Sequence, residues 1–123
     1  MARILVIDDE AVVRRAVARM LAASGHEAIE AANATVGLRL WREQRADVVV
    51  TDIAMPDLTG FELIGLLRSE GESVPIIAMS GSLVVSDLEL IGERLGIQLL
   101  SKPFSADQLI TAVSKALADQ VRE

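Results

Sequence analysis

At 123 residues the chain is the length of a single domain, and its composition, 51% apolar and 24% charged, is enough to bury a core. Eighteen Asp and Glu against twelve Lys and Arg leave a net charge of −6, which argues against the basic patch that nucleic acid or an anionic membrane surface requires. There is no Cys, and so no disulfide, thiolate metal site or cysteine nucleophile.

In chain order, short aliphatic runs alternate with longer stretches of helical period. Arg3-Ile4-Leu5-Val6-Ile7 predicts a first strand. After Glu10, Val12, Val13, Ala16, Val17, Met20 and Leu21 predict an apolar helix face, with Arg14, Arg15 and Arg19 on a solvated side and Gly25 as the stop. Glu27–Ala31 is a weaker strand candidate. Leu38, Leu40 and Trp41 anchor a second helix that Asn33 can cap. Asp47–Thr51 is a strand, followed by a third helix over Phe61, Leu63, Ile64, Leu66 and Leu67 that ends near Gly71. Val74–Met79 is the next strand, with Pro75 at its start where it is tolerated. Leu88, Ile91 and Leu95 mark a fourth helix ended by Gly96, and 97–101 a last strand. Ser105 with Gln108 three residues on is a capping-box pattern for a fifth helix, with Leu109, Ile110, Val113 and Leu117 as its stripe.

Strand and helix thus alternate five times. Runs without polar alternation suit strands buried on both faces. Right-handed crossovers then put helices on both sides of a parallel sheet. Five units are too few for an eight-fold barrel, so the predicted fold is an open, doubly wound (βα)5 domain over 1–123. No apolar run approaches the length of a membrane span. MARILVIDDE meets two aspartates within nine residues, unlike a signal peptide. A cytoplasmic domain is expected.

In such a sheet the carboxyl ends of the strands share one edge, where ligands bind. Asp8, Asp9 and Glu10 follow the first strand, Asp52 the third, Ser80 the fourth, and Lys102-Pro103 the fifth. Singly, each reads as a turn, a cap or a solvated charge; their coincidence at strand ends is harder to assign to chance. Carboxylates brought together resist joint ionisation, and a divalent cation resolves this. A small set of oxygen-only ligands suits Mg²⁺ or Mn²⁺. An aspartate here could attack phosphorus to give an aspartyl-phosphate, with Lys102 and Ser80 meeting phosphoryl oxygens.

The segments ILVIDDE, VVVTDIAMPDLTGFEL, PIIAMSG and LLSKPF, in this order, resemble the receiver domain of two-component response regulators over essentially the whole chain. The resemblance implies a flavodoxin-like strand order 2-1-3-4-5. It implies that Asp52 is the phosphoacceptor, that Asp9 ligates Mg²⁺ directly with Asp8 acting mainly through water, and that the Ala54 carbonyl is a third protein ligand. Ser80 would be the switch hydroxyl and Lys102 the phosphate-pairing lysine, with a cis bond to Pro103. Phosphate would come from a histidine kinase or a histidine phosphotransfer protein. The surface of the fourth helix, last strand and fifth helix would signal to a protein partner. The domain would assist its own phosphorylation and dephosphorylation without being an enzyme for another substrate, as a monomer or a phosphorylation-linked homodimer.

Two departures bear on switching. Where the family commonly has an aromatic ring, three residues before the lysine, this chain has Leu99, and it has no Tyr at all. The signal is therefore expected to rest on the Ser80 loop and the fourth helix. Ala54 and Ser82, at positions that tune phosphoryl lifetime in the family, are both small. Leu83-Val84-Val85 is an unusually apolar exit from the active edge: either a helix start tucked into the core or a contact patch.

A dehalogenase-type phosphatase would need a second Asp where Ala54 stands. A phosphorylation-independent binding module would not need the full Asp8, Asp9, Asp52, Ser80 and Lys102 set. The chain could also be the receiver part of a longer regulator. His26, the single histidine, reads as a turn or strand start.

Overall fold

The computed structural model describes residues 2–55, 58–81 and 97–121. Within them the order is β1 (Arg3–Ile7), α1 (Ala11–Ala23), β2 (Glu27–Ala31), α2 (Ala34–Gln44), β3 (Val48–Asp52), α3 (Gly60–Ser69), β4 (Ile76–Ser80), β5 (Gln98–Ser101) and α4 (Ala106–Val121). The helix predicted around Leu88, Ile91 and Leu95 lies outside the described residues, so α4 is the helix predicted from Ser105.

The five strands form one parallel sheet in the order β2-β1-β3-β4-β5. Side chains alternate across each strand, and the two sets build two cores. Leu5, Ile7, Val49, Ile76 and Ala78 face Trp41 of α2 and Leu63, Ile64 and Leu67 of α3. Ile4, Val6, Val48, Val50, Ile77 and Met79 face Val17 and Leu21 of α1 and Leu109 and Val113 of α4. This double burial is why the central strands read as unbroken aliphatic runs. The two edge strands differ: β2 exposes Glu27 and Glu30, and β5 is only half-buried.

Local chemistry sets the helix ends. The Asn33 side chain accepts from the Val36 N–H at 2.8 Å. Thr59 and Glu62 form a reciprocal capping box at the start of α3, and Ser105 and Gln108 another before α4. Gly25 and Gly71 follow α1 and α3 with φ of +86° and +82°, a left-handed turn that glycine adopts without strain.

Sequence and structure part at Val12. It belongs to the predicted apolar face of α1, yet it is 83% exposed; Val17 and Leu21 carry the burial. In the first turn of α1, Val12 lines a cleft with Gly81, Lys102, Pro103 and Phe104 instead of packing on a strand.

Candidate functional site

Register places the site. β1 and β3 pair from Ile4↔Val48 to Ile7↔Thr51, β3 and β4 to Asp52↔Met79, and β4 and β5 to Ser80↔Ser101. Asp8, Asp52, Ser80 and Lys102 therefore all emerge at one edge, at or one residue past the ends of adjacent strands.

Asp8 is fully buried and each of its carboxylate oxygens is engaged. Oδ1 accepts from the Glu10 N–H at 2.9 Å, and Oδ2 from Lys102 Nζ at 3.1 Å. Asp52 is buried too; its Oδ1 accepts from the Ala54 N–H at 3.3 Å, and its Oδ2 lies 3.5 Å from Lys102 Nζ. Asp9 is exposed at the rim. One carboxylate oxygen from each of Asp8, Asp9 and Asp52 lies within 4.8 Å of the others. All are hard oxygen donors, which fits Mg²⁺ or Mn²⁺.

Burial pushes the Asp52 carboxyl above its ordinary pKa, and the neighbouring Asp8 charge adds to this; the Ala54 N–H and Lys102 oppose it without cancelling it. For Lys102, burial alone lowers the pKa. The Asp8 hydrogen bond and the charges of Asp8, Asp52 and Glu10 outweigh it and raise the ammonium above its usual value. Lys102 therefore stays charged while bridging two carboxylates.

Ser80 is buried at the end of β4, and its carbonyl accepts from the Lys102 N–H at 2.7 Å, tying the two strand exits together. The Lys102–Pro103 bond is cis, and Pro103 is exposed beside it. Leu99 is half-buried against the core that faces α2 and α3. Ser82 and Leu83 lie outside the described residues.

Two residues that support the site escape sequence reasoning. Gly60 starts α3 against the end of β3: a Cβ there would stand 2.4 Å from the Asp52 carbonyl oxygen and 2.6 Å from Ile53 Cα. Only glycine lets the helix close on the strand that carries Asp52, and the Gly60 N–H donates to the Ile53 carbonyl at 3.2 Å. The signal was a glycine directly after a capping threonine, where helix formers are the ordinary choice. Arg14 corrects the solvated reading given to its helix face. Arg15 and Arg19 are exposed, but the Arg14 side chain is only 14% exposed and bonds the Asp8 carbonyl and Glu30.

Fold and site together define a flavodoxin-like α/β domain whose strand-end carboxylates are closed by a lysine. The family model described as response regulator receiver domain matches residues 4–114, and the chain belongs to that family, placing it in two-component signalling. It is 33% identical over 121 residues to protein PilH of Pseudomonas aeruginosa, a match covering 96% of this chain and 99% of PilH. It is also 33% identical over 116 residues to the DNA-binding transcriptional regulator NtrC of a Bradyrhizobium species, covering 94% of this chain but 24% of NtrC. The chain thus spans a quarter to a half of several curated relatives it matches, at 24% and 50% of their lengths. A receiver domain protein from Clostridium thermocellum superposes with TM-score 0.90 at 30% identity, covering 98% of this chain and 97% of that one. Chemotaxis protein CheY4 of Vibrio cholerae superposes at 0.87 and 28% identity, covering 95% of this chain and 99% of that one.

Proposed function

We propose that this domain is a phosphoacceptor switch: Asp52 takes a phosphoryl group from a histidine kinase or histidine phosphotransfer protein, and the altered surface signals to a protein partner. The observation that carries this reading is the Lys102 ammonium held between two buried carboxylates, 3.1 Å from Asp8 and 3.5 Å from Asp52, with Asp9 beside them.

Asp52 is assigned as the acceptor by its place at the end of the central strand β3, with one carboxylate oxygen 3.5 Å from the Lys102 ammonium and the other accepting from the Ala54 N–H. An Asp52 oxygen forms a bond to phosphorus as the bond from phosphorus to the donor nitrogen breaks. The leaving imidazole keeps the bonding pair. Hydrolysis reverses the logic: water adds to phosphorus and the carboxylate of Asp52 is released. Lys102, held charged by its neighbours, meets the negative charge of the incoming group, and the Ser80 hydroxyl meets another phosphoryl oxygen. Asp8, Asp9 and Asp52, with the Ala54 carbonyl, would hold Mg²⁺ or Mn²⁺, which when bound neutralises charge on the phosphoryl oxygens.

In this reading the domain serves its own phosphorylation and is not an enzyme for a separate substrate. Output runs through the Ser80 exit toward the region of the fourth predicted helix, β5 and α4, with Leu99 as a packing residue. NtrC acts on DNA through a longer chain; the net charge of −6 supports no direct nucleic-acid contact by this domain. Among the described residues no helix is long and apolar enough to cross a membrane.

The test is intact-mass spectrometry after incubation with Mg²⁺ and acetyl phosphate. The expected result is one phosphoryl adduct that is absent in Asp52→Asn. An adduct of equal yield in Asp52→Asn would move the acceptor elsewhere. No adduct from acetyl phosphate or from phosphorylated histidine kinases would favour a phosphorylation-independent binding module.

A further inference from the structure

Asp8 and Asp9 are joined by one planar peptide unit, so the Asp8 carbonyl and the Asp9 N–H turn together. β1 ends at Ile7, one residue before that unit. Where the strand stops, Arg14 Nη1 donates to the Asp8 carbonyl at 2.8 Å, and Arg14 Nε donates to Glu30 Oε1 on β2 at 3.2 Å. A guanidinium is a rigid planar fork, so two fixed corners define its position. The Asp8 N–H is held as well, donating to the Ala31 carbonyl at 3.1 Å.

This matters most for Asp9. The Asp8 carboxylate is aimed by its own bonds to Glu10 and Lys102. The Asp9 carboxylate is exposed, and no side-chain hydrogen bond orients it among the described residues. The line on which the Asp9 Cα–Cβ bond leaves the chain follows the backbone on either side, and on the amino side that backbone is the peptide whose carbonyl Arg14 bonds.

We infer that Arg14, braced by Glu30, is a positioning residue for the divalent-cation ligands: it fixes the Asp8–Asp9 peptide so that the Asp9 carboxylate converges on Asp8 and Asp52. This rests on the reading of the three aspartates as a Mg²⁺ site. Arg14 bonds the Asp8 carbonyl and Glu30 and none of the three aspartate carboxylates. Groups that orient metal ligands from behind typically account for about 10–100-fold in metal affinity.

The experiment is calorimetric titration of the full chain with Mg²⁺, for wild type, Asp9→Asn, Arg14→Ala, Arg14→Lys and Glu30→Gln, with thermal melts in EDTA to establish folding. Arg14→Ala is expected to weaken Mg²⁺ binding about tenfold. Arg14→Lys, which keeps a cationic donor but loses the fork, recovers binding to within about threefold of wild type. Glu30→Gln, whose amide oxygen still accepts, stays close to wild type. A folded Arg14→Ala protein with wild-type Mg²⁺ affinity would overturn the inference, reducing Arg14 to a tie between α1 and the sheet, while leaving the cation site standing. If wild type itself fails to bind Mg²⁺, or Asp9→Asn binds as well as wild type, the cation reading of these aspartates falls and this inference falls with it.

Discussion

The two edges of the sheet carry opposite arrangements of charge. At the amino edge the charged side chains are matched. Arg3 pairs with Glu27 at 3.2 Å, and its backbone N–H donates to Asp47. Arg42 pairs with Glu70 at 2.8 Å. Arg45 lies over the Trp41 ring, 5.0 Å from its centroid, and pairs with Glu72, which also accepts the indole N–H at 2.9 Å. These ion pairs are largely exposed. At the carboxyl edge, the Asp8 and Asp52 carboxylates, both buried, share the one Lys102 ammonium, and the exposed Asp9 carboxylate lies beside them. Two buried carboxylates against one ammonium leave the buried part of the cluster short of positive charge. Unbalanced buried charge opposes folding, so a chain keeps it where something positive or strongly polar is to be bound. One edge pairs its charges with one another; the other keeps buried charge beside the residues proposed above to take a phosphoryl group.

Removing the single cation of the carboxyl edge should therefore have the largest effect. Lys102→Met leaves Asp8 Oδ2 buried without its donor and Asp52 facing Asp8 unscreened. The expected loss is about 3 kcal/mol in urea denaturation at neutral pH in EDTA, with Mg²⁺ restoring part of it. A loss no larger than that of an exposed ion pair would erase the distinction between the edges.

Removing a negative charge from the same edge should act in the other direction. The folded-state pKa of Asp52 is raised, chiefly by burial, so the folded protein holds the Asp52 proton more tightly than the unfolded chain does. The stability Asp52 contributes is complete below the ordinary carboxylate pKa, about 4, and is lost as pH rises through the raised value. Asn carries no charge to bury. Asp52→Asn should thus be more stable than wild type at neutral pH without divalent cation, by roughly 1 kcal/mol, the size of an ordinary point-mutant effect with its sign reversed. Melting curves from acid to neutral pH in EDTA should converge at the acid end. A gap that instead widens toward acid would reverse the assignment.

How much of this was legible in the chain follows the same division. The central strands, the doubly wound fold and the strand-end residues Asp8, Asp52, Ser80 and Lys102 could all be read, because burial on both faces writes itself as aliphatic runs and the residues after those runs sit at one edge. The Ser105–Gln108 cap was legible for a local reason, its three-residue spacing. The amino edge was not: Trp41 meets Glu72 and Arg42 meets Glu70 across about thirty residues of chain, and no periodicity links them. Glu27–Ala31 read weakly because an edge strand mixes acids with small apolar residues. Arg14 was assigned to solvent with its helix face, since its real partners are a carbonyl and an edge-strand acid that only the packed sheet brings near. Val12 matched the apolar period, but the first turn of α1 stands over a cleft instead of a strand.

The smallest effect belongs to the matched edge and is the control for the rest. Arg42 is 57% exposed and Glu70 38%, so their attraction is spent largely in water and offset by the entropy of two long side chains. Arg42→Ala should change stability by no more than about 0.5 kcal/mol, shrink further in high salt, and leave the acetyl phosphate adduct at Asp52 unchanged. The neighbouring Trp41–Glu72 bond gives a sharper version of the same argument. Trp41 is buried with its indole N–H satisfied by a carboxylate that Arg45 also holds, so the anchoring of α2 to the turn after α3 survives the loss of Arg42. A denaturation midpoint for Arg42→Ala that fell as far as that of Lys102→Met would mean that pairing, and not its absence, is what each edge is built around.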